Sequence, residues 1–158
     1  MIVDAAQVPP QPWKNGGGVT RELLRWPEEG PWRLRLSVAD IAADGPFSAF
    51  PGVTRWFAVL DGAGVVLTFA DGERTLRPGD APLCFDGAAA PGCRLIAGPT
   101  VDLNLMLQGT GGALLPARQG DPVPAWPQVG FFAASNRRLH WPAVGPSPED
   151  GFWIGTTA

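Results

Sequence analysis

Apolar and polar residues alternate with a period of two along much of the chain. In Trp32-Arg33-Leu34-Arg35-Leu36-Ser37-Val38, the apolar residues Trp32, Leu34, Leu36 and Val38 share one face, and Arg33, Arg35 and Ser37 take the other. Val101 through Gln108 repeats the pattern, setting Val101, Leu103, Leu105 and Leu107 opposite Asp102, Asn104, Met106 and Gln108. Successive side chains of a pleated strand point to opposite faces, so both segments are predicted strands. Shorter strands are predicted at Val19–Leu24, Arg55–Leu60, Val65–Phe69, Arg74–Leu76, Leu83–Phe85 and Arg94–Ile96. Asp61-Gly62, Asp71-Gly72, Pro78-Gly79-Asp80 and Asp86-Gly87 separate them with residues that accept tight turns. No segment carries the apolar stripe of an amphipathic helix. Short strands at this spacing imply an all-β sandwich or barrel.

After Gly109 the pattern weakens to two expected strands, Phe131-Phe132-Ala133 and Phe152-Trp153-Ile154, joined by a Pro-rich connection. No linker is long enough to divide the chain and no internal repeat is visible. Residues 1–158 therefore read as one unit, or as two small barrels fused closely enough to share a core.

Composition narrows the functional classes. Hydrophobic residues make up 45% of the chain, enough for a core, and 21 Gly with 18 Pro fit many turns rather than low complexity. The net charge of −3 comes without a Lys/Arg cluster, which argues against a nucleic-acid partner. Apolar runs are far shorter than the roughly 20 residues of a membrane helix, so no membrane partner is expected. Met1-Ile2-Val3-Asp4 lacks a basic or apolar leader, which points to a cytoplasmic protein. Cys84 and Cys93 then read as reduced thiols.

The cations are unevenly chosen. Eleven are Arg and one is Lys, and that Lys14 stands in Trp13-Lys14-Asn15-Gly16-Gly17-Gly18. An ammonium and a guanidinium differ in reach and hydrogen-bond geometry, so a lone Lys amid an Arg bias suggests a position where Lys itself is needed. Asn is also scarce: Asn15, Asn104 and Asn136 are the only three. The glycine triplet lacks the Lys-Ser/Thr and the strand–loop–helix context of a phosphate-binding loop. Two readings of it stand: a positive-φ turn or bulge leading into the strand Val19–Leu24, or a backbone that lets a ligand approach closely.

Pro12 through Glu22, Leu36-Ser37-Val38-Ala39, Asp44-Gly45-Pro46-Phe47-Ser48, Phe50-Pro51-Gly52, Phe85-Asp86-Gly87 and Asp102-Leu103-Asn104-Leu105-Met106 follow one another in order. Together they resemble the HutD/Ves family of cupin-fold proteins, HutD being encoded with enzymes of histidine degradation. The resemblance spans roughly residues 10–108, and the part from 109 to 158 matches weakly. It implies a cupin-like (RmlC-like) barrel. The family places a Trp directly before the arginine of its second motif, so Arg33, which follows Trp32, and Arg35 both stand as candidates for that arginine.

Most cupin enzymes hold a metal with His and Glu side chains. Setting Gly62 on the last glycine of the first cupin motif turns its Glu position into Arg55. Its His positions then fall on Ser48 and Phe50, or on Ala49 and Pro51, and Gly79 places the second-motif His at Ala90. None ligates a divalent transition metal well and Arg55 repels one, so neither metal nor cofactor is expected. The single histidine, His140, reads as a surface or capping residue, and no Ser-His-Asp or Cys-His set can be assembled around it.

What remains is a binding chemistry. Arg21, Arg33, Arg35 and Arg55 fall on three predicted strands, and a barrel gathers inward-facing side chains around one hollow. Lys14 and two or three of these arginines would suit a carboxylate. Ser48, Asp102 and Asn104 would meet amide or formamido groups, and Trp13, Phe47 and Phe50 would wall the pocket. The expected site is thus Trp13, Lys14, Asn15, Arg21, Arg35, Ser48, Phe50, Arg55, Asp102 and Asn104. Asp102 and Asn104 belong to it only if the Leu face of their strand packs on a second sheet.

The leading expectation is a binding protein, accessory or regulatory in histidine or amino-acid catabolism, whose partner is a small anionic metabolite such as formylglutamate or urocanate. One alternative is a metal-independent isomerase, epimerase or hydrolase using Lys14 or Asp102 as its base. Another is a stress-induced interaction module, with seven Trp and the Pro-rich tail forming a partner or homodimer surface.

Overall fold

The computed structural model describes residues 1–158, which form fifteen strands and two single-turn 3-10 segments, Ala5–Gln7 and Gly87–Ala89. The strands are β1 (Ile2–Asp4), β2 (Gln11–Pro12), β3 (Gly18–Trp26), β4 (Leu34–Ile41), β5 (Gly45–Pro46), β6 (Thr54–Asp61), β7 (Val65–Phe69) and β8 (Gly72–Leu76). They continue as β9 (Leu83–Asp86), β10 (Gly92–Leu95), β11 (Thr100–Leu107), β12 (Gly112–Ala117), β13 (Gln128–Ala133), β14 (Arg138–His140) and β15 (Gly151–Thr156).

Three antiparallel sheets stack in layers. A six-stranded sheet, β2-β3-β4-β11-β6-β9, lies between a four-stranded sheet, β5-β10-β7-β8, and a five-stranded sheet, β1-β14-β13-β15-β12. The central sheet buries both faces, and its strict alternation allows this. Leu34, Leu36, Val38, Leu103, Leu105 and Leu107 join Leu114, Phe132, Leu139 and Ile154 of the five-stranded sheet in the largest core. On the opposite face, Ile41, Phe57 and Val59 meet Val65, Leu67, Leu76 and Cys93 of the four-stranded sheet. The Leu face thus does pack on a second sheet, and this turns Asp102 and Asn104 the other way.

The fold is the all-β one expected, although the facing sheets keep their own edge strands and no sheet closes into a barrel. One central sheet serves both cores, and β1 with the strands after β11 forms a single sheet on its outer face. One turn departs from the sequence reading: Gly87 makes no positive-φ turn. Asp86 caps a 3-10 turn there, and a Cβ on Gly87 would sit 2.6 Å from the Phe50 carbonyl oxygen and 2.7 Å from that of Val53. Gly62, Gly72 and Gly79 do take positive φ in the expected turns.

The strands missed in sequence are short or lie at edges. β12 contains Pro116 and pairs only with β15, the edge position where a missing N–H is tolerated. The Pro-rich connection folds over Ala117, Phe131, Ala133 and Trp153 on the outer face of the five-stranded sheet, with Trp126 packed against them. Ser147 ties this cover down, accepting from the Asp121 N–H at 3.0 Å and donating to the Arg118 carbonyl. His140 is a β14 residue packed against Phe131, at 5.9 Å between ring centroids, not a cap.

Candidate functional site

The glycine loop supports one wall of a cavity. Asn15 Oδ1 accepts from the Gly17 N–H at 2.8 Å, and the Gly16 N–H donates to the Trp13 carbonyl at 3.0 Å with Gly16 at φ +74°. A Cβ on Gly18 would sit 2.4 Å from the Asp40 carbonyl oxygen and 3.3 Å from the Trp13 ring. The loop amides of Gly16 and Gly17 are therefore spent inside the turn, and the close-approach demand at Gly18 comes from the protein itself. This places Trp13, whose Nε1–H donates to Thr20 Oγ1 at 2.7 Å and whose ring meets Phe47 edge-on at 6.5 Å.

From that wall a cavity of about 1000 Å³ opens onto the inner face of the central sheet. β3 contributes Thr20 and Glu22, β4 contributes Arg35, Ser37 and Ala39, β6 contributes Arg55, and β11 contributes Asp102, Asn104 and Met106. Lys14 and Asn15 stand at the rim, and Phe47, Ser48 and Phe50 come from the segment after β5. Nine of the ten residues named from the sequence line this hollow. Arg21 does not.

Arg21 lies on the opposite face of β3, beside Val38, where its Nη1 pairs with Asp40 Oδ2 at 2.7 Å. It lines a separate cavity of about 600 Å³ between the central and five-stranded sheets, together with Asp61 and Arg137. Strand alternation decides this: Thr20 and Glu22 face the larger hollow, so Arg21 cannot. The Leu23-Leu24 doublet hides that phase in the sequence, because a bulge between Glu22 and Leu24 lets both leucines enter the core. Glu22 is consequently the residue sequence reasoning missed. Its Oε1 accepts from Arg35 Nε at 2.6 Å, so one of the expected anion-binding cations already has a partner. Arg35 also stacks on Trp32 at 5.3 Å. Of the two arginines left open, Arg35 faces the cavity, and Arg33 instead donates to the Gly109 carbonyl at 2.9 Å.

Arg55 dominates the electrostatics. It is 4% exposed, and its Nε and Nη1 have no hydrogen-bond partner. Aromatic rings surround it: the guanidinium carbon lies 5.2 Å from the Phe47 centroid, 5.5 Å from Phe50 and 5.2 Å from Phe85. Such faces favour a cation by about 0.5–2 kcal/mol each but accept no ordinary N–H···O bond. Burial pulls its pKa from the usual arginine range down to about 10, with the Asp102 charge opposing that fall. Asp102 is 1% exposed and Asn104 7%, and the Oδ1 atoms of both are unpartnered. Asp102 sits where the polar cavity meets the apolar layer around Phe57 and Val59. Burial pushes its carboxyl up to about 8, Arg55 pulls the other way, and Asp40 adds a smaller push upward.

This set does not fit a divalent metal. The buried Arg55 guanidinium would repel a cation, and no group of three His, Cys, Asp or Glu side chains comes together anywhere in the chain. What the set offers is two unpartnered guanidinium nitrogens beside two unpartnered side-chain oxygens.

A family model described as HutD matches residues 5–113. The chain belongs to the HutD family. An uncharacterised 21.2 kDa protein in the hutC 3' region of Pseudomonas putida is 42% identical over 109 residues, 66% of this chain and 56% of that protein. Protein Ves of Citrobacter koseri is 34% identical over 105 residues, 65% of this chain and 55% of its own length. The chain therefore spans little more than half the length of these curated relatives.

Among solved structures, HutD from Pseudomonas fluorescens SBW25, determined in a formate condition, superposes with a TM-score of 0.86 at 27% identity, covering 100% of this chain and 99% of that one. A conserved protein of unknown function from Pseudomonas aeruginosa gives 0.70 at 25% identity, covering 98% and 89%. The cupin domain of Schizosaccharomyces pombe Cnp3 gives 0.52 at 12% identity over 65% of this chain and 70% of its own, a likeness of fold alone. The HutD superposition includes the C-terminal sheet, although the family model stops at residue 113. Packing a sheet on a leucine face asks for apolar alternation rather than particular residues, so fold persists there where sequence does not.

Proposed function

We propose that this HutD-family cupin binds a small organic anion without a metal, acting as an accessory or regulatory protein of histidine or amino-acid catabolism. The carrying observation is Arg55: a buried guanidinium with two unused donors facing a hollow that also holds the unpartnered oxygens of Asp102 and Asn104. A buried polar group left unpaired costs about 1–3 kcal/mol, and more when charged. A ligand carboxylate would relieve that cost through charge-assisted bonds. Lys14 at the rim would draw the anion in, and the aromatic ring cluster would shield the pair from water. Formylglutamate and urocanate are the candidate ligands, since the P. putida relative lies beside hutC. Isothermal titration of the chain with both acids tests this reading. The expected result is saturable binding by at least one, lost in Arg55→Gln. An intact fold that binds no histidine-pathway acid removes the assignment.

A further inference from the structure

The anion reading uses Arg55 and leaves unexplained the carboxyl group that shares its cavity. Asp102 lies at the inner end of the hollow, 1% exposed, with Oδ1 unpartnered. None of the protein's ion pairs includes it. The charged and titratable groups that act around it come from three sides. Arg55 on β6 favours its carboxylate, and Asp40, which pairs with Val101 and faces the opposite side of the sheet, disfavours it. Cys93 on β10 is a buried thiol pushed up to about 12 by burial, with Asp102 and then Asp44 adding to the effect, so it brings no charge at neutral pH. Glu22, Arg35 and Lys14 line the same hollow, the first two already paired with each other.

An anion seated on Arg55 changes this balance in one direction. It engages the only group that favours the Asp102 carboxylate, and it adds a like charge in a water-poor space. The carboxyl then holds its proton to higher pH than in the empty protein, and a neutral carboxyl is a hydrogen-bond donor as well as an acceptor. Resting on the anion reading, we propose that Asp102 is a specificity-determining residue. It meets the ligand as the neutral acid, donates its O–H to a second oxygen of that ligand, and couples alkaline-side binding to uptake of one proton from solvent. The ligand class so selected is a carboxylate carrying a further carbonyl or carboxyl oxygen, such as an N-acylamino or dicarboxylic acid. An acid whose other end offers no oxygen acceptor is disfavoured.

Titrating N-formylglutamate into the full chain at pH 6.5, 7.5, 8.5 and 9.5, in two buffers of unlike ionisation heat, tests the coupling without any variant. Below the free-protein value of about 8, little proton uptake is expected; above it, uptake approaches one and affinity falls by up to tenfold per pH unit. Arg55 loses its proton only near 10, so its contribution is separable from that of Asp102. Asp102→Asn keeps an N–H donor and cannot titrate. With its fold verified by circular dichroism, it should bind at pH 6.5 and show neither proton uptake nor the decline between 8 and 9.5. Pentanoate, which lacks the second oxygen, should bind at least tenfold more weakly than N-formylglutamate at pH 6.5. Wild-type binding that is flat across this range with no proton uptake would overturn the coupling and leave the anion site standing. Equal binding of pentanoate would overturn the selectivity. No binding of either acid at pH 6.5 would overturn the anion reading itself.

Discussion

Replacing Arg55 with methionine separates the stability of this cavity from its function. Holding the guanidinium charged inside the fold, where burial lowers its pKa to about 10, costs roughly 3 kcal/mol at neutral pH, at about 1.36 kcal/mol per pKa unit. The sign is that of a buried base: the penalty is present below the folded value and is relieved only above it. Three aromatic faces return about 0.5–1 kcal/mol each at such distances. Methionine has a similar length, no donors to strand, and makes favourable contacts with aromatic rings. Asp102 does not become an uncompensated buried charge in the variant, because its carboxyl already favours the neutral form and loses only the group that opposed this. The balance is a gain of about 0–1.5 kcal/mol, which for a chain of this size raises Tm by up to about 6 °C. Wild type with N-formylglutamate at 100 times its Kd should gain about 2.7 kcal/mol, while Arg55→Met should gain nothing. Thermal unfolding of both proteins, with and without the acid, provides the four numbers. If Arg55→Met unfolds several degrees below wild type, or keeps the ligand shift, then Arg55 serves the fold rather than an anion and the reasoning is wrong.

Other consequences follow from the same geometry. The unfolded chain ionises Asp102 near 3.8 and the folded chain only near 8, so its contribution is fully present below 3.8 and is lost as pH rises through 8; urea midpoints should fall over that window in wild type and fall less in Asp102→Asn. Glu22→Gln frees Arg35 from its ion pair, which is partly exposed, so stability should change by less than about 1 kcal/mol while carboxylate affinity, read by calorimetry, rises several-fold. Gly18→Ala forces a Cβ to 2.4 Å from the Asp40 carbonyl oxygen and against the Trp13 ring, and should lower the urea midpoint by the equivalent of about 1–3 kcal/mol. Leu103→Ala, at a fully buried site in the shared sheet, should cost about 2–5 kcal/mol in the same assay and test whether that sheet anchors both layers.

The period-two pattern alone established an all-β chain, located the two longest alternating strands within three residues of β4 and β11, and separated Asp102 and Asn104 from the leucines beside them. It did so because alternation is a local consequence of the pleat and needs no knowledge of what lies across the sheet. The ordered motifs from Pro12 to Met106 likewise sufficed for the family. Tertiary structure decided the rest. Only the arrival of Leu114, Phe132, Leu139 and Ile154 on the leucine face turns the polar face of β11 into the cavity. A bulge at Leu23 sends Arg21 out of the site and brings Glu22 in, a register effect that a leucine doublet conceals. The burial of Arg55 among three phenylalanines, with donors unmet, needs Phe85 of the neighbouring strand as well as Phe47 and Phe50 from the segment just before it, and these come together only in the folded sheets. Residue types and faces are written locally; partners, and the absence of partners, exist only once the layers have packed.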